Sequence, residues 1–145
     1  MPRFVAAALV FVSSAAVLVL EILAARLLAP YVGVTHEVYT AIIGVILGGI
    51  ALGSWWGGKA ADRVDPRTLL GPLIAIGGIL SFFTIPVVDA LGAGLRGAGP
   101  AATVIITFVT FFAPAAVLTA VTPAVIKIQL ASLDETGRVV GRLSA

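Results

Sequence analysis

The chain has 145 residues, 60% of them hydrophobic and only 11% charged, with nine bases against seven acids. Soluble domains run about 45–50% apolar and about 25% charged, so this composition, with a mean hydropathy of +1.15, excludes that class and points to a membrane protein. The absence of cysteine and the single histidine leave no thiol chemistry, disulfide framework or zinc ligand set, and bases dispersed between apolar runs make no nucleic-acid surface.

Four runs carry no charged residue: 4–20, 38–58, 68–88 and 97–126. About 20 apolar residues cross about 30 Å of hydrocarbon, so the last three are each long enough to span. The first becomes a span only by continuing through Glu21 and Arg26 to Pro30, which places an acid inside the membrane. A cleaved signal peptide would share the start Met1-Pro2-Arg3, but no small-residue cleavage region follows and the apolar character resumes after Glu21. The expected fold is therefore all-α, a polytopic bundle of four transmembrane helices in one domain, 1–145. Helices are expected over about 4–29, 36–58, 67–90 and 100–130, with Thr35 as the N-cap of the second. A short tail follows over 131–145, and 132–143 reads as the start of an amphipathic element. Seven of the nine bases fall on the side of the termini and the second connection, while Arg26 and Arg96 fall on the other. By the positive-inside rule both termini are cytoplasmic.

Helix one carries the most informative residue. An acid within a span needs a partner, a proton or water, and Arg26, five residues on, stands about 140° round the helix from Glu21. Ser14, seven residues earlier, shares its face. Glu21 is read either as a structural hydrogen-bonding group reaching a neighbouring helix or as a site for a cation or proton. His36 and Glu37 in the first outer turn read as a solvated or capping pair. Helix two carries Gly44 and Gly48, then Gly49, Gly53 and Gly57 at a spacing of four, a device for close backbone approach. Packing within the chain is the preferred reading, a homodimer seam the other. Trp55 and Trp56, with Tyr31 and Tyr39 at the opposite face, fit interfacial anchors. In helix four Thr103, Thr107, Thr110 and Pro114 share a narrow arc, and Thr119, Thr122 and Pro123 mark a second interruption. Such interruptions are either plain kinks or parts of a transport path, for which Thr107 is the residue to test first.

The connection after helix two holds Gly58, Asp62, Arg63 and Arg67. Their spacing resembles the loop signature of the major facilitator superfamily between its second and third helices, with Asp65 and Pro66 standing where that signature has Gly and Arg. Residues 21–33, 42–53, 121–123 and 136–143 extend a likeness to the membrane domain of bacterial fused transporter/spermidine-synthase-like proteins. The resemblance implies a major facilitator-like half-module in a bacterial inner membrane. It also implies that a synthase-like domain, absent from these residues, would carry any enzymatic activity. No catalytic residue and no cofactor is expected here. The function this implies is binding or movement of a small solute, a polyamine or another cation, by a homo-oligomer or by the chain joined to a missing C-terminal half. A membrane anchor for a soluble synthase-like partner is the alternative.

Overall fold

The computed structural model describes residues 1–96 and 99–130. The tail with its expected amphipathic element, Arg138 and Arg142 lies outside the described residues. Four helices follow in order: α1 (Arg3–Val32), α2 (His36–Arg63), α3 (Pro66–Gly92), which runs on into a 3₁₀ turn (Ala93–Leu95), and α4 (Pro100–Leu130). All four are long and apolar enough to cross a bilayer.

Local chemistry sets the helix ends. The Thr35 hydroxyl accepts the Val38 N–H at 3.3 Å and caps α2. Asp65 caps α3 by accepting the Arg67 N–H at 2.9 Å, and Pro66 takes the first helical position, where its missing N–H loses nothing. Pro30 does not end α1, because a proline in the last turn forfeits a single bond, to the carbonyl four residues back. The helix instead ends at Gly33, whose φ of +85° suits glycine and whose N–H closes on the Ala29 carbonyl at 3.0 Å. Similarly, α2 passes Gly58 and continues to Arg63, since an isolated glycine weakens a helix without stopping it.

The helix that organises the bundle is α4. Half of its most apolar window is buried, against 17–28% for the other three. Along α1, Val17, Leu20, Ala24 and Leu28 recur at spacings of three and four and face this centre. They pack with Val38, Ile42 and Ile46 of α2, Val88 of α3, and Ile106, Phe111, Ala115 and Leu118 of α4. Towards the α2–α3 connection a smaller cluster joins Ala6, Val121 and Val125, with Leu70 and Leu73 against it.

The contact between α2 and α4 changes character along its length. Val38, Ile42 and Ile46 keep the axes a side chain apart, whereas further down the same stripe the buried positions are Gly49, Gly53 and Gly57. A Cβ on Gly53 would lie 2.0 Å from the Ala116 carbonyl oxygen, and one on Gly57 would lie 2.7 Å from the Ala120 Cα. One on Gly49 would lie 2.9 Å from the Phe112 carbonyl oxygen. Backbone thus lies against backbone, the close approach that small residues permit in lipid. Gly44 and Gly48 do not belong to this seam. A Cβ on Gly44 would meet nothing within 4 Å, and one on Gly48 only the Phe112 ring at 3.6 Å. The cause is angular, since Gly44 and Gly48 stand about 140° and 100° round the helix from Gly49. A fourth close approach, Gly77 of α3 against Leu118, is carried by a single glycine outside any repeat.

Pro114 affects α4 through a local widening of the turn. Phe108–Phe112, just ahead of it, form one turn of π-helix. A proline cannot donate to the carbonyl four residues back and its ring crowds that carbonyl; a π turn gives it room. Ahead of Pro123 the helix is likewise interrupted by a turn at Ala120.

Candidate functional site: an acid in the α1–α2 groove

Glu21 stands a little past the middle of α1, about 5 Å along the axis from its centre at 1.5 Å per residue. It is half-buried and lines a groove of about 380 Å³ between α1 and α2. Leu18, Ile22, Ile42 and Ile43 supply apolar walls, and the other polar groups in the lining are Arg26 and Tyr39. Among the described residues Glu21 has neither an ion pair nor a hydrogen bond. An acid, a base and a phenol therefore open into one recess whose other walls are apolar.

Sequence reasoning singled out Glu21 but assigned Arg26 and Tyr39 to the membrane boundary. The turn at 33–35 makes α1 and α2 an antiparallel pair, and counting outward from it puts Arg26 and Tyr39 within about 5 Å of one level. That count was the available signal. Ser14, on the Glu21 face, opens into other recesses, one shared with Val17, Ile50, Thr119 and Thr122.

Thr107 is not brought to this groove. Its side chain is fully buried and its hydroxyl donates to the Thr103 carbonyl at 2.7 Å. Thr119 likewise donates to Ala115 within α4. Thr110 differs: it lies in the π turn, is 5% exposed, and its Oγ1 has no partner among the described residues.

At the α2–α3 end the four motif residues separate. Gly58 touches nothing that a Cβ would meet within 4 Å. Asp62 forms an ion pair with Lys127 of α4, tying the connection to the central helix. Both side chains are about half exposed, and such a pair contributes about 0–1 kcal/mol. Among the described residues no carboxylate pairs with the Arg63 or Arg67 guanidinium. Lys59 lies over the Trp55 ring, 3.9 Å from its centroid. At the other end Tyr31 is a brace between helices in addition to any interfacial role. Its hydroxyl donates to Asp89 at 3.3 Å, Arg96 lies 5.7 Å from its ring centroid, and the ring fills the space that a side chain on Gly92 would need.

No protein family, curated protein or solved structure was found to match this chain.

Proposed function

We propose that this chain is a membrane-embedded solute-binding module, half-transporter-like in arrangement, that receives an amine-bearing small solute at Glu21. The observation that carries the reading is the carboxylate in the α1–α2 groove, which has no partner among the described residues. An unpaired charge inside a span costs several kcal/mol, and an ammonium group would offset that cost. Leu18, Ile22 and Ile43 suit the methylenes of such a solute, while Arg26 disfavours a second ammonium near the first. A polyamine is the example that the likeness to transporter/synthase-like proteins offers. In this reading the major facilitator-like arrangement is completed by another copy or by a further set of helices, and mass in mild detergent and native lipid tests the first of these.

Spermidine binding to the purified chain in nanodiscs tests the site. Glu21→Gln keeps shape and hydrogen bonding but removes the charge, and binding is expected to weaken at least about tenfold. Equal binding by both forms, or none by either, would count against a solute site and leave the membrane anchor as the better account.

Orientation follows the charge bias, with both termini cytoplasmic. Because the chain has no cysteine, single cysteines engineered at positions 2 and 94 report sidedness without background. Only position 94 is expected to react with an impermeant reagent from outside; labelling at 2 instead would reverse the topology.

A further inference from the structure

A second recess lies at the other end of the bundle, between α2, α3 and α4. It is about 180 Å³ and wholly apolar, walled by Leu52, Trp56 and Ala60 of α2, Leu69 and Leu73 of α3, and Val117 of α4, with the glycine–alanine seam as its floor. We infer that this groove is a lipid site, holding one acyl chain of an anionic phospholipid whose phosphate is bound by Arg63.

Helical register makes the argument. Leu52, Trp56 and Ala60 recur every fourth residue along one wall, and Arg63, three residues beyond Ala60 and about 20° round the helix from Leu52, falls on the same stripe where α2 ends. Its side chain is exposed, and among the described residues no carboxylate pairs with it. The two nearby acids are engaged elsewhere, Asp62 with Lys127 and Asp65 as the cap of α3. Among the described residues Lys59 and Arg63 are therefore the bases of α2 left without a carboxylate at the end of a groove whose interior accepts only hydrocarbon. Trp56 is 64% exposed along this wall, about 10 Å below Arg63 at 1.5 Å per residue, and so would lie beside the acyl chain. Apolar below and basic above is the complement of a phospholipid with net negative charge. Arg67 bears on this less, because it precedes Leu69 by two residues and so stands about 160° round α3 from that wall.

The only two tryptophans are Trp55 and Trp56, so fluorescence reads this groove directly. In a Trp55→Phe background, Trp56 quenching is measured with phosphatidylglycerol or phosphatidylcholine brominated on the acyl chain, in mixed micelles. The expected preference for phosphatidylglycerol is about fivefold in half-quenching concentration. Arg63→Gln, an exposed change that alters no packing, should bring the ratio near one, while Arg67→Gln keeps most of it. Ala60→Leu, which fills the groove, should weaken quenching by both lipids, with helicity and elution volume confirming that the variant is folded. The proposal is overturned by a ratio of one in the parent protein, by equal loss in the two arginine variants, or by quenching unchanged in Ala60→Leu. Protection of Trp56 from both lipids, as a second copy or a further helix seated in the groove would produce, also overturns it.

Discussion

Gly53→Ala is expected to destabilise the bundle by about 3 kcal/mol or more, read as a shift in its denaturing-detergent unfolding midpoint. The new methyl would sit 2.0 Å from the Ala116 carbonyl oxygen and 2.7 Å from the Ala116 Cα, and backbone cannot rotate away as a side-chain tip can. Two controls isolate the cause. Gly44→Ala meets nothing within 4 Å and should be neutral or stabilising by up to about 1 kcal/mol, since alanine is the better helix former. Gly77→Ala would press on the Leu118 methyl at 2.6 Å, a flexible group, and should fall between the two. If all three variants unfolded together, the α2–α4 seam would not be what holds these helices in register.

Thr110→Val is expected to raise stability by about 1–2 kcal/mol, an unusual sign for a buried substitution. Valine keeps the shape and removes a hydroxyl that has no partner among the described residues, and a buried unsatisfied polar group costs about 1–3 kcal/mol. Thr107→Val, a few residues away, removes a bond already made to Thr103 and should be neutral to mildly destabilising. The same detergent titration reads both. Destabilisation by Thr110→Val beyond about 1 kcal/mol would show that the hydroxyl has a partner in the assembled membrane form and is needed there.

Much of the architecture was legible because the bilayer imposes its own length scale. The four charge-free runs, the Thr35 cap and the repeat at Gly49, Gly53 and Gly57 follow from local rules, whereas Asp65 and Pro66 read as departures from a loop signature and not as the cap and first residue of α3 that they are. The errors arose where a rule lacked its partner. Gly44 and Gly48 obey the same spacing as the seam, and only the position of α4 decides which stripe meets a backbone. Pro30 reads as a stop, but one lost bond in a final turn is too little to end a long helix. Pro114 announces a defect without saying whether the chain kinks or takes up a wider turn. As for the site, an acid in a span is visible to inspection, whereas the convergence of Arg26 and Tyr39 on it depends on how α1 and α2 pair. Thr107 stood out for its spacing, yet hydroxyls so spaced also bond back to their own helix, and that is what Thr107 does.

The taper of the α2–α4 contact, from bulky side chains at one end to bare backbone further along, ties the position of one end of α2 to its crossing angle at the other. The approach is tightest at Gly53, and the segment beyond it, held by Val38, Ile42 and Ile46 in the core, ends at the wall of the Glu21 groove. Fourteen residues at 1.5 Å separate Gly53 from Tyr39, so a tilt of about 5° displaces Tyr39 by about 2 Å. The width of the acidic groove would thus follow the angle at which α2 crosses α4 at Gly53, about 21 Å away along the helix, through packing that contains no charged group.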